Sequence, residues 1–155
     1  MTQEELIKRL NSIAQLDIDA SRAYEQAIKA IEDPEIRAQL TLYRQDHDRH
    51  VADLSQAVRM LGGTPPSKSP DLKGFLIQGM TGIQSSMGTP GALKAMQTNE
   101  KLTNKTYADA AKLDLSPEIK TIIDRGYLDE KTHIAYINKA LETHAWEHQE
   151  AHAGR

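Results

Sequence analysis

Cysteine is absent from the 155-residue chain, which excludes disulfides, zinc fingers and thiolate-ligated iron centres. Aromatic residues make up only 5%, so the apolar content falls to Leu, Ile and Ala, the residues that pack helices. There is no marked excess of positive charge: the net formal charge is −3, and a nucleic-acid partner is not expected. No apolar run approaches the roughly 20 residues that a membrane-spanning helix needs. The acidic start Met1-Thr2-Gln3-Glu4-Glu5 has no apolar stretch behind it, so a secretory signal is not expected either. These absences together predict a cytoplasmic protein with one core.

What is present is helix punctuation. Thr2 followed by Glu5 is a capping box, and Asp33-Pro34, Thr89-Pro90 and Ser116-Pro117 each pair a capping residue with an N1 proline. Gly62-Gly63 closes the second stretch ahead of Thr64-Pro65-Pro66. The spacing predicts helices over about 3–31, 34–61, 90–112 and 117–147 within a single domain covering 1–155. The connection over 62–88 is long, and a short helix is expected within it, over about Asp71 to Ile83. Short turns make helices one and two antiparallel neighbours, and likewise three and four; the long connection lets the second pair cross over and pack on the first. The predicted fold class is an all-α, up-down four-helix bundle.

The two hairpins are copies. Offset by 83 residues, segments 10–57 and 93–140 align without a gap and share eleven identities, where ordinary composition gives about three. Among them are Leu10/Leu93, Tyr24/Tyr107, Asp46/Asp129, His50/His133 and Ala52/Ala135, with Pro-Glu-Ile opening both second helices. A pseudo-twofold axis between the hairpins follows.

Along each helix, the stripe at spacings of three and four should face inward. Every stripe is interrupted near its middle by ionisable residues: Asp17 on the first helix, His47 and His50 on the second, Glu100 on the third, Glu130 and His133 on the fourth. The offset superimposes Asp17 on Glu100, His47 on Glu130 and His50 on His133. Burying carboxylates without compensation costs several kcal/mol apiece. Three carboxylates and three histidines converging in one core therefore call for compensating charge, which two divalent cations supply. Oxygen and imidazole donors suit iron, manganese or zinc. The alternative is a polar core network that holds no metal.

This constellation resembles the ferritin-like di-iron carboxylate superfamily, including rubrerythrin-type domains, and is similar to bacterial ferritin-like four-helix proteins. The resemblance spans about residues 5–145. That superfamily's pattern is a Glu from each of two helices and a Glu-x-x-His from each of the other two. The second half matches it in full, with Glu100, Tyr107 and Glu130-Lys131-Thr132-His133. In the first half Asp17 and His47 stand where the pattern has Glu. Asp is about 1.5 Å shorter in reach, and a neutral imidazole at 47 is not expected to bridge two metals as a carboxylate does. With one carboxylate fewer, weaker binding or a higher reduction potential is expected, with one ion held well by Glu100, Glu130 and His133 and the other loosely.

The resemblance implies a site for two divalent ions, iron before manganese or zinc, that reacts with O₂ or hydrogen peroxide as a ferroxidase or peroxidase in stress defence. The absence of a rubredoxin-like cysteine segment makes any electron donor a separate protein, and a homodimer is possible for such a bundle. The competing expectation is a metal-free bundle acting as a structural or stress-response interaction protein. Tyr24 and Tyr107 are candidates for hydrogen bonding to a ligand carboxylate or for quenching an oxidant, with a tyrosine that only caps the core layer as the alternative. Asp46 and Asp129 are candidates for orienting histidines through their second nitrogens, with a solvated or salt-bridged carboxylate as the alternative. Towards the C-terminus His144, His148 and His152 recur every fourth residue with Glu147 and Glu150 between them, a stripe able to catch a stray ion if helical. Trp146 could dock that segment on the bundle or on a partner. Met80 and Met87 in the connection are assigned to packing.

Overall fold

The structure is a computed structural model and describes residues 1–69 and 88–147. Those residues are all-α, in four long helices: α1 (Gln3–Ala30), α2 (Pro34–Met60), α3 (Gly88–Ala111) and α4 (Pro117–Thr143). The expected boundaries hold at most ends. Thr2 accepts from the Glu5 amide at 3.1 Å while the Glu5 carboxylate accepts from the Thr2 amide at 2.7 Å, so the capping box closes in both directions. Asp33 accepts from the Ile36 amide at 2.9 Å, with Pro34 placed where no amide is needed. Gly62, at φ +85°, carries the chain out of α2 in a left-handed conformation that glycine adopts without strain.

Three expectations are corrected. α3 opens at Gly88, two residues before Pro90. Ser116 occupies the N-cap of α4 in extended conformation, but its side chain makes no capping hydrogen bond, leaving the N1 proline to set the start. α4 does not run to 147. It ends at Thr143, because His144 takes a left-handed conformation (φ 49°, ψ 55°) whose amide turns back to the last carbonyls, and a further turn follows over 145–147. His144 therefore does not continue the α4 stripe: it bonds locally to Glu147 at 3.1 Å and its ring stacks on Trp146. His148, Glu150 and His152, the expected helix near 71–83, Met80 and Met87 lie outside the described residues.

α1 packs along α2 and α3 along α4, and the two hairpins meet through α1 against α3 and α2 against α4. The inward stripes build two apolar clusters. One holds Tyr24, Ile31, Ile36, Leu40, Leu93, Met96 and Ile137. The other holds Leu10, Ile13, Leu54, Val58, Tyr107, Ile119 and Ile123. Each aliphatic side chain in them contributes about 1.5–3 kcal/mol by leaving water. The six ionisable stripe residues belong to neither cluster. They form a polar layer, to which Tyr24 reaches from one cluster and Tyr107 from the other. Among the described residues no helix is long and apolar enough to cross a membrane.

A candidate two-metal centre in the core

Asp17, His47, His50, Glu100, Glu130 and His133 are brought together, and none is more than 3% exposed. Their donor atoms fall into two groups, each with the composition and closeness of a metal-binding site. In the first, Asp17 Oδ1 lies 2.7 Å from His47 Nδ1 and 3.2 Å from His50 Nδ1, while Glu130 Oε1 lies 3.5 Å from each of those two nitrogens. In the second, Glu100 Oε1 lies 3.4 Å from His47 Nε2 and 3.3 Å from His133 Nδ1, which is 3.7 Å from Glu130 Oε2. His47 and Glu130 thus belong to both groups, one ring nitrogen or one carboxylate oxygen to each.

The surrounding hydrogen bonds obey the repeat. The Tyr107 hydroxyl donates to Asp17 Oδ2 at 2.6 Å, and the Tyr24 hydroxyl donates to Glu100 Oε1. Each tyrosine serves the carboxylate of the other hairpin, as a twofold axis between hairpins requires. The same exchange links the outer nitrogens of the histidines. His50 Nε2 is 2.9 Å from Asp129 Oδ2, and His133 Nε2 is 2.9 Å from Asp46 Oδ2. These contacts turn Nδ1 of both histidines toward the centre. Asp46 and Asp129 also carry the salt bridges expected as their alternative role, since the Arg49 guanidinium spans both of them.

Several contributors were not anticipated. Arg49 is invisible to a search for repeated residues because its copy is Thr132. Thr103 lies 2.8 Å from Glu130 Oε2 and 3.1 Å from Glu100 Oε2, and its copy is Ala20. Asn104 ties α3 to α4 by donating to the Glu100 and Glu130 carbonyls at 2.8 and 2.9 Å. Tyr43 packs against His133 with tilted rings whose centroids are 4.2 Å apart, and at its copy, Gly126, the missing side chain makes room for the Tyr107 ring. No sequence pattern distinguished these residues from ordinary packing.

The metal-free charges follow from this geometry. Burial opposes ionisation of Asp17, but hydrogen bonds from His47 and His50 outweigh it and hold its pKa below the usual range. Burial likewise opposes Glu100, whose contacts with His133 and His47 bring it well below the usual range. Glu130 goes the other way, raised first by burial and then by the neighbouring Glu100 charge. Burial opposes protonation of the histidines, yet their carboxylate partners prevail: His47 rises to about 9, His133 to about 11 and His50 to about 12. Without metal, cationic imidazoles compensate the carboxylates.

That compensation is incomplete. Glu130 Oε1 and His133 Nδ1 are buried with no hydrogen-bond partner, and both point into the donor groups. An unpartnered buried polar atom costs about 1–3 kcal/mol, and a cation in the groups would satisfy both atoms. Carboxylate oxygens and imidazole nitrogens are the donors that iron, manganese and zinc accept, so the residues present fit a pair of such ions. The buried Asp/His/Glu groups are thus able to hold metal.

No curated protein matches the chain. A protein-family model does match over residues 5–113, from the first turn of α1 to just past α3. The match takes in Asp17, His47, His50 and Glu100 and stops short of Glu130 and His133. Since it covers more than half of the chain, the protein belongs to the family described as domain of unknown function DUF2383.

Proposed function

We propose that this chain is a ferritin-like four-helix bundle that binds two divalent metal ions in its core, iron foremost, and uses them in reaction with O₂ or hydrogen peroxide. The observation that carries the proposal is the pairing of the two donor groups through Glu130, whose orphaned Oε1 faces one group while its Oε2 faces the other. Asp17 and His50 would hold one ion, Glu100 and His133 the other. Tyr24 and Tyr107 fix the terminal carboxylates, and Asp46 and Asp129 fix the histidines, so the donors are oriented before any ion arrives. Bound there, iron would supply electrons to the oxidant. The chain itself excludes bulk water with the two apolar clusters that sandwich the layer, and any reductant would be a separate protein.

A second function, a metal-free structural or stress-response bundle, is favoured by one observation. The three histidines and the carboxylates already form a nearly complete ion-pair network on their own. Elemental analysis of untagged protein separates the two, before and after anaerobic Fe(II) loading, beside a Glu130→Ala/His133→Ala double variant. Close to two ions per chain in the wild type, lost in the variant, supports the metal centre. No bound metal after loading overturns it in favour of the structural bundle.

A further inference from the structure

Of the two core ligand candidates that break both the repeat and the resemblance, Asp17 keeps a carboxylate and His47 does not, its copy being Glu130. Its placement does not break the repeat. Glu130 offers one oxygen to each donor group, and His47 offers one ring nitrogen to each. Nδ1 stands 2.7 Å from Asp17 Oδ1, and Nε2 stands 3.4 Å from Glu100 Oε1. Ions with bonds of about 2.1 Å place neighbouring donors roughly 3.0–3.4 Å apart, and the contacts within the two groups run from 2.7 to 3.7 Å. Both ring nitrogens therefore occupy donor positions, in different groups.

We propose that His47 bridges the two metal ions as an imidazolate, with Nδ1 on the ion held by Asp17 and His50 and Nε2 on the ion held by Glu100 and His133. This rests on the two-metal function above. It reverses the expectation that a histidine at this position cannot bridge.

Two arguments support it beyond the distances. The first is steric and electrostatic. A neutral imidazole carries a hydrogen on one nitrogen. If His47 bound a single ion, that hydrogen would project into the other donor group, where a second cation must sit. With both groups filled, neither ring nitrogen keeps a hydrogen: the cationic ring of the metal-free protein releases two protons to solvent and two nitrogen–metal bonds form, with no change in oxidation state. The second is charge. Two divalent ions bring four positive charges into a core where Asp17, Glu100 and Glu130 supply three negative ones. The imidazolate supplies the fourth at the position where the resembled pattern has a carboxylate, and buried charge is tolerated when it is balanced.

The test uses the full-length chain with nitrogen-labelled histidine, stripped of metal and loaded with a spin-active cadmium isotope. Elemental analysis counts the ions, and heteronuclear NMR reads nitrogen–cadmium coupling on each ring nitrogen. The expected result is two cadmium ions per chain and one imidazole in which both nitrogens are split, each by a different cadmium. That pattern disappears in His47→Gln. If His47→Gln fails to fold, correlations through the ring's carbon-bound hydrogens still show in the wild type whether the two split nitrogens share one ring. Two cadmium ions with no doubly split ring overturns the bridge and leaves the two-metal function standing. One ion or none overturns both.

Discussion

Gly126 and Tyr107 offer a sharp test of how the polar layer is held. A Cβ placed on Gly126 would lie 3.0 Å from Tyr107 Cζ and 3.2 Å from Cδ1, and closer still to Cε1. The ring has no free end to move. It is 1% exposed, packed in the second apolar cluster and anchored by its hydroxyl on Asp17 at 2.6 Å. Gly126→Ala gains about 1 kcal/mol from helix propensity. Against this stand overpacking, at about 1–3 kcal/mol, and loss or lengthening of a hydrogen bond to a charged group, at about 1.5–3 kcal/mol. The expected net effect is destabilisation by about 2 kcal/mol. In a Tyr107→Ala background both penalties vanish while the propensity gain remains, so the same substitution should stabilise by about 1 kcal/mol. The coupling, about 3 kcal/mol, is at the upper end of what contacting residues show. Urea denaturation of the four metal-free proteins in the cycle measures it. An equal effect of Gly126→Ala in both backgrounds would refute the idea that this glycine exists to seat the tyrosine.

Metal-free stability should depend on pH in a definite direction. The histidines have folded pKa values raised to about 9, 11 and 12 against about 6.5 unfolded. Their contribution is complete below 6.5 and is lost as pH climbs through the folded values. Asp17 and Glu100 are lowered, so theirs is present above the unfolded carboxylate range and is lost as pH falls through the folded values. The melting temperature in chelator should therefore peak between about pH 5 and 6.5 and fall toward pH 9.5; a maximum at alkaline pH would contradict the assigned ion pairs. Because those same protons must leave for metal to bind, metal affinity should rise over pH 6 to 9, with proton release seen by calorimetry in buffers of differing ionisation enthalpy. Glu130→Gln removes a buried carboxylate whose Oε1 has no hydrogen-bond partner. Thermal melts should show the metal-free form unchanged or more stable, while the metal-induced rise in melting temperature shrinks; a large metal-free loss would show that the carboxylate is structurally required. Arg49→Gln frees Asp46 and Asp129 from the guanidinium that joins them, so metal affinity by competition with a chelator should fall about 10–100-fold, and an unchanged affinity would remove Arg49 from the site.

The six core residues were legible because each interrupts an apolar stripe and because the repeat superimposes the interruptions. Periodicity supplied the face, and self-similarity separated a site from scattered polar residues. The crosswise pairing of Tyr24 with Glu100 and Tyr107 with Asp17 follows from the twofold axis, although helical spacing alone places each tyrosine near the acid of its own helix. Arg49, Thr103 and Tyr43 were missed because their copies differ in type, and a search that rewards repetition discards one-sided features. The end of α4 was illegible for another reason. A left-handed residue is signalled by glycine or asparagine, and His144 is neither. Ser116 shows the converse: a residue with capping chemistry occupies the N-cap, yet its side chain forms no capping bond, whereas Asp33, also followed by proline, does cap.

The one-sided features are related to one another. A carboxylate at Glu130 has two oxygens to satisfy, and Thr103 is placed to donate to one of them at 2.8 Å. The copy of Thr103 in the first hairpin is Ala20. An imidazole has ring nitrogens directed at Asp17 and Glu100 and no further acceptor to serve, so a hydroxyl there would lack a task. Asp17, shorter than its copy Glu100, still meets His47 at 2.7 Å and Tyr107 at 2.6 Å. The larger ring at 47 fills distance that a longer acid would otherwise span. On the outer side, Arg49 ties Asp46 of one hairpin to Asp129 of the other, where the repeat offers only Thr132. Around the polar layer, buried atoms without a hydrogen-bond partner occur in both halves: Arg49 Nε in the first, Glu130 Oε1 and His133 Nδ1 in the second. Asp17 and His47, the two departures from the pattern, satisfy one another, so the shorter acid and the larger ring fit as a pair.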